Sequence, residues 1–189
     1  MEAIMEKALH PIEIVVAVAN KRVIGNGQTL PWGYIPEDME HFKNITMGSY
    51  VVMGCRTLES ICKNSSQKRL QGGILPGRTI FVLSRCPEKA HSRFPGCIAI
   101  SDINAILKLR ETRRVCIAGG QEVYEQFIVL PEIRVVHLTR IFADFPGDVF
   151  FPELHINEWQ LRKNHMVPGD IKKGVPSIAF QTFIRNPRN

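Results

Sequence analysis

One acid stands apart in the first quarter of the chain. Asp38 follows a glycine turn at Gly25 and the tripeptide Leu30-Pro31-Trp32, and it lies one helical turn before Phe42. Pro36 suits the first position of a helix, so a helix over Pro36 to Thr46 places Asp38, Phe42 and Ile45 at i, i+4 and i+7 on one face. A carboxylate among apolar side chains can hold a polar ligand by paired hydrogen bonds and help to tune a proton. The plainer alternative is that Glu37 and Asp38 are first-turn acids offsetting the helix dipole.

Two strand ends run directly into glycine and a helix: Val51-Val52-Met53-Gly54-Cys55-Arg56-Thr57, and Cys116-Ile117-Ala118-Gly119-Gly120-Gln121-Glu122-Val123-Tyr124. Glycine lets an anion approach the backbone, and free N–H groups of a first helical turn point at it, so both turns suit phosphates. Two such turns in one mostly parallel sheet suit a dinucleotide at their carboxyl ends, although a strand-to-helix turn also uses glycine for geometry alone. Neither matches GxGxxG or GxxxxGK[ST], which excludes the usual Rossmann fingerprint and the P-loop. Arg56, with Ser84 and Arg85 after the apolar run Thr79 to Leu83, could converge on a further phosphate, unless each arginine is simply solvated.

The elements that carry these residues follow from periodicity. Ile14 to Ala19 is a continuous apolar run, the mark of a strand buried on both faces, and Tyr50 to Met53, Thr79 to Leu83, Val115 to Ala118 and Val135 to Ile141 repeat it. Helical patterns intervene at Pro36 to Thr46, Thr57 to Ile61, Ile103 to Glu111 and Gln121 to Val129. Alternation of this kind implies an α/β fold with a mostly parallel central sheet flanked by helices. Trp159 to Met166 and Ser177 to Arg185 read as two strands joined around Pro168-Gly169-Asp170, so the sheet should end in a C-terminal antiparallel pair. The polar stretch Cys62 to Gly73 reads as a surface loop.

The chain has 189 residues, enough for one domain over 1–189, and no repeat or interdomain linker is visible. Its net charge of +6 comes from dispersed Lys and Arg, which argues against a nucleic-acid tail and favours small anionic ligands only weakly. The five cysteines are odd in number and lack CxxC or Cys/His spacing, so no metal is expected and a reducing, cytoplasmic setting fits. No apolar run approaches the length of a membrane span, and neither a membrane partner nor an export signal is expected.

At this point the residues resemble the dihydrofolate reductase family. The ordered matches are Ala17-Val18-Ala19 with Arg22-Val23-Ile24-Gly25, Leu30-Pro31-Trp32, Asp38 with Phe42-Lys43, Met53-Gly54 with Thr57 and Glu59-Ser60-Ile61, and Leu75-Pro76-Gly77-Arg78. They continue through Leu83-Ser84, Gly119-Gly120 with Val123-Tyr124-Glu125-Gln126-Phe127, Leu138-Thr139, and Gly147-Asp148 before Phe151-Pro152. The resemblance implies a single three-layer domain with residues 1–11 as an N-terminal extension and 62–74 as a loop insertion. It also implies NADPH as hydride donor to C6 of dihydrofolate, a proton at N5 delivered by water, and tetrahydrofolate for one-carbon metabolism.

By their places in the motifs, the same resemblance implies the site. Asp38 would hold N3 and the 2-amino group of the pterin, with Thr139 on the same carboxylate, and Leu30 and Trp32 would flank the water route. Val15 and Ala118 would offer carbonyls, while Ala17, Met39, Phe42, Ile61 and Leu75 would line the substrate pocket and Arg78 would grip the glutamate α-carboxylate. Tyr124 would place its ring by the nicotinamide. Ala17, Ile24, Gly25, Gly54, Cys55, Arg56, Thr57, Ser60, Leu83, Ser84, Arg85, Gly119, Gly120, Gln121, Glu122 and Val123 would complete the cofactor site. Antifolate-type inhibitors are expected partners, and a monomer is expected. The chain departs from the pattern at Cys55, where a cation is usual, at Leu58, where Trp is usual, and at Ala118, which is smaller than usual. Rival readings are a pterin or pyrimidine reductase of related fold, a lapsed folate-binding protein, and a basic nucleic-acid module, the last disfavoured by the absence of interleaved aromatic and basic residues.

Overall fold

The computed structural model describes residues 8–64 and 73–187. Its strands are β1 (Ile12–Val18), β2 (Val23–Gly25), β3 (Tyr50–Gly54), β4 (Thr79–Leu83), β5 (Ile98–Ile100), β6 (Val115–Ile117), β7 (Ile133–Ile141), β8 (Val149–Phe150), β9 (Trp159–Val167) and β10 (Ile178–Arg185). Its helices are α1 (Pro36–Thr46), α2 (Cys55–Asn64), α3 (Pro87–Arg93), α4 (Ile103–Lys108) and α5 (Gln121–Ile128). Eight strands form one sheet in the order β5-β4-β3-β6-β1-β7-β10-β9, and β2 pairs with β8 in a separate ribbon. The pairs from β5 across to β7 are parallel, and β10 runs antiparallel to both β7 and β9.

The continuous apolar runs have a clear cause. In β3, Val51, Val52 and Met53 are all fully buried. Val52 joins Phe81, Ile14 and Ile117 in the layer under α4 and α5, whereas Val51 and Met53 join Ile80 and Val82 in the layer that contains Leu58 of α2 and Ala90 of α3. A third cluster of Ala19, Trp32, Ile35, Ile141 and Ile178 lies beside α1. The sheet is therefore covered by α1, α2 and α3 on one face and by α4 and α5 on the other.

The expected helix at Thr57 to Ile61 is longer, and the loop expected to begin at Cys62 is corrected: Cys62 and Lys63 continue α2. Cys62 packs on the apolar cluster and Lys63 pairs with Glu59 at 2.9 Å, which extends the helix a further turn. Residues 1–7 and 65–72, within the expected extension and insertion, lie outside the described residues. The expected helix over Ile103 to Glu111 divides into α4 and a 3-10 turn at Leu109–Glu111.

Two neighbouring strands set the site. From β1 the chain leaves through α1 toward β3, and from β6 it leaves through α5 toward β7, so the connections diverge between β1 and β6. The β1–β6 pairing stops at Ile14 and Ile117, while β1 continues to Val18 against β7. A crevice at such a switch point, beyond the carboxyl ends of parallel strands, is where ligands of open α/β sheets bind. Among the described residues, no helix is long and apolar enough to cross a membrane.

Candidate active site

Pro36 opens α1, where its missing N–H costs nothing, and two residues on Asp38 is only 4% exposed. Thr139 of β7 donates a hydrogen bond to the Asp38 carboxylate, yet burial outweighs it and holds the carboxyl above the ordinary value. Ala17 is the β1 partner of Thr139 in the ladder. The Tyr124 hydroxyl donates to the Val15 carbonyl at 2.9 Å, and burial together with the neighbouring charge of Asp38 pushes its pKa up. Its ring meets Phe151 edge-on at 5.1 Å. The structure thus gathers Asp38, Thr139, Val15, Ala17 and Tyr124 at the switch point.

The two glycine turns interlock beside this group. The Gly54 N–H donates to the Gly119 carbonyl at 2.8 Å, and Gly119 holds a φ of +120°, a conformation that suits glycine. A Cβ on Gly120 would lie 2.9 Å from Thr57 Oγ1, and one on Gly119 would lie 3.3 Å from the Tyr124 hydroxyl. The Gly119-Gly120 peptide is cis. Side chains would fill this cradle, and their absence leaves the amino ends of α2 and α5 open to an anion. The residues present fit the pyrophosphate of a dinucleotide.

Other cofactor candidates are placed less directly. Arg56 and Arg85 are exposed just beyond β3 and β4, which pair Gly54 with Leu83. Cys55 is the first residue of α2, and Ser84 accepts from the Cys86 N–H at 3.1 Å. Gln121 accepts from the Phe150 N–H at 2.9 Å and so ties α5 to β8, Val123 is buried, and Glu122 is exposed. Ile24 and Gly25 lie in β2, ahead of the loop that leads to α1.

That loop is pinned at two places. Asp148 accepts from the Gly27 N–H at 2.8 Å, and its own N–H donates to the Gly25 carbonyl at 3.2 Å. Ser60 donates to the Gln28 carbonyl at 2.6 Å, and Lys63 donates to the Gln28 side chain at 2.6 Å. Leu30 is 42% exposed. Trp32 is buried edge-on to Phe145, and its indole Nε1 has no hydrogen-bond partner among the described residues, a donor left for a ligand or water.

Toward the other end of α1, Met39 and Phe42 are half-buried, and Ile61, Leu75 and Ala118 border the cluster of Val51, Met53 and Leu58. Arg78 donates from Nη1 to Thr46 Oγ1 at 3.1 Å and from Nε to the Pro76 carbonyl at 3.2 Å, and burial lowers its pKa. An open concavity of about 610 Å³ lined by Leu154, Ile156, Trp159, Leu161 and Phe183 contains none of these residues and no titratable group. Thr46, Gln28 and a role for Asp148 escaped the sequence reading. The first two contact backbone or side chains far along the chain and carry no local pattern, whereas Asp148 had a signal in its Gly147-Asp148 match.

A dinucleotide cradle opening onto a crevice with one carboxylate is the arrangement of a redox enzyme, and comparison with known proteins narrows that class. The family model described as dihydrofolate reductase matches residues 11–185. Dihydrofolate reductase of Staphylococcus haemolyticus is 34% identical over 150 residues, 79% of this chain and 81% of that one. Dihydrofolate reductase type 3 of Salmonella typhimurium is 34% identical over 174 residues, 92% of this chain and 98% of that one. A solved dihydrofolate reductase from Enterococcus faecalis, complexed with NADP(H) and RAB-propyl, superposes with a TM-score of 0.79 at 27% identity, covering 94% of this chain and 97% of that one. The chain belongs to the dihydrofolate reductase family.

Proposed function

We propose that the pocket around Asp38 carries out the family's reaction, the NADPH-dependent reduction of 7,8-dihydrofolate to tetrahydrofolate. When bound, the reduced nicotinamide supplies the hydride that C6 accepts. The observation that carries the assignment of the site is the convergence of one buried carboxylate, hydrogen-bonded to Thr139, on the interlocked glycine turns.

In this reading Asp38 accepts from N3 and the 2-amino group of the pterin and fixes its orientation, and Thr139 keeps the carboxylate in place. Val15 and Ala118 present carbonyls at the ring edge, and Ala17, Met39, Phe42, Ile61 and Leu75 form the apolar walls. Tyr124 uses its hydroxyl to brace the Val15 carbonyl. Water admitted between Leu30 and Trp32 reaches N5, with the Trp32 Nε1–H as a donor that can orient it. Arg78 is preset by Thr46 and the Pro76 carbonyl, and it receives the glutamate α-carboxylate. Gly54, Thr57, Gly119 and Gly120 hold the pyrophosphate, while Arg56 and Arg85 supply the cations at the 2′-phosphate that Cys55 does not.

Every proposed group comes from one chain, which suits a monomer, and five free thiols suit a reducing compartment such as the cytoplasm. Antifolate-type inhibitors would compete for the pterin pocket. The test is steady-state turnover of purified protein with dihydrofolate and either NADPH or NADH. NADPH should be preferred in kcat/KM by roughly tenfold or more, the size expected of partly exposed charge-assisted contacts. Turnover with neither cofactor would reject the catalytic reading, and equal use of both would reject the role given to the two arginines.

A further inference from the structure

We infer that Arg114, immediately before β6, is a positioning residue for the anionic tail of the substrate: it holds the last turn of α1 so that Thr46 meets Arg78. The inference rests on the reading of Arg78 as the carboxylate-gripping group.

The last carbonyls of a helix have no partner within it and favour a nearby cation. At the end of α1 that cation is Arg114. Its Nη2 donates to the carbonyl of Ile45 and, at 3.5 Å, to that of Met47, the two carbonyls on either side of Thr46. The other end of the arm is fixed by the sheet, since the Arg114 carbonyl accepts from the Tyr50 N–H at 2.9 Å. Glu13 of β1 faces Arg114 Nη1 at 3.6 Å and also faces His137 at 3.5 Å, so the guanidinium is held by a half-buried countercharge.

Between the two gripped carbonyls, Thr46 is wholly buried. Its hydroxyl donates to the Phe42 carbonyl at 2.7 Å and accepts from Arg78 Nη1 at 3.1 Å. The turn that carries Arg78 is docked on the same segment, because the Gly48 N–H donates to the Gly77 carbonyl at 3.1 Å. A Cβ on Gly77 would come 2.7 Å from Met47 Sδ. Arg114 thus acts on the Arg78 guanidinium through one intervening residue. A shift of that turn would loosen Arg78 while leaving Asp38, two turns earlier on α1, in place.

The experiment compares the full-length parent with Arg114→Lys and with the pair Arg114→Met and Glu13→Gln, which removes both charges and leaves no half-buried acid without its partner. Two substrates are used: dihydrofolate, and a dihydropterin without the glutamate. In both variants KM for dihydrofolate should rise about fivefold with kcat unchanged, and KM for the tail-less substrate should stay within about twofold. Added to Arg78→Leu, either change should have no further effect on KM. A merely structural role would raise both KM values together or lower kcat, and either outcome overturns the inference, as does an unchanged KM for dihydrofolate. Arg78→Leu alone separates the two readings. If it weakens both substrates equally, the assignment of Arg78 fails. If it weakens dihydrofolate selectively while the Arg114 variants do not, only the inference about Arg114 fails.

Discussion

Asp38 is buried at some cost to the fold. Burial raises its pKa and the single hydrogen bond from Thr139 only partly offsets this. A carboxyl of raised pKa takes up its proton more readily in the folded chain than in the unfolded one. Above the ordinary carboxylate pKa, stability therefore falls as pH rises, until the folded pKa is passed. Asp38→Asn removes that dependence, so the melting temperature of the variant relative to the parent should climb as pH rises above the ordinary carboxylate range, as thermal unfolding at several pH values would reveal. A constant difference would mean that the carboxylate is better solvated than its burial indicates. The acid was legible in the sequence because a lone carboxylate on an apolar helix face is unusual. Arg114 was not, because its partners are main-chain carbonyls nearly seventy positions away, and a pairing of that kind leaves no trace in residue type.

At the scale of elements, the site depends on two helices starting side by side. Gly120 lets α5 approach α2 so closely that a Cβ would sit 2.9 Å from Thr57 Oγ1. Gly120→Ala should part the two turns and raise KM for NADPH roughly tenfold, the equivalent of one lost charge-assisted hydrogen bond, with KM for dihydrofolate little changed. Equal effects on both ligands, or none, would show that the turns do not form the anion site. The long elements were legible because their causes are local: β3 and β4 are buried on both faces and read as apolar runs, and α1 has Pro36 at its start. Helix α3 was missed because Glu88, Lys89, His91, Ser92 and Arg93 leave one buried residue, Ala90, in seven. The ribbon of β2 and β8 was missed because two or three residues cannot show a period.

The molecule as a whole brings these parts together through strand order, which no segment of sequence encodes. Inserting β6 between β3 and β1 makes the connections diverge at the place where Val15, Thr139 and Asp38 meet Gly119. Mostly parallel order was inferable from the alternation of elements, but the position of β6 was not, since several orders satisfy the same connection lengths. The central claim is that this one crevice joins a hydride from NADPH to a pterin oriented by Asp38. Its most direct test is single-turnover transfer from NADPH deuterated at the transferring carbon to dihydrofolate, in the parent and in Asp38→Asn across a range of pH. The parent should yield tetrahydrofolate labelled at C6. The variant should transfer on the order of a hundredfold more slowly at neutral pH and recover part of the loss as the solution is acidified. Unlabelled product, or a variant as fast as the parent at neutral pH, would contradict the account.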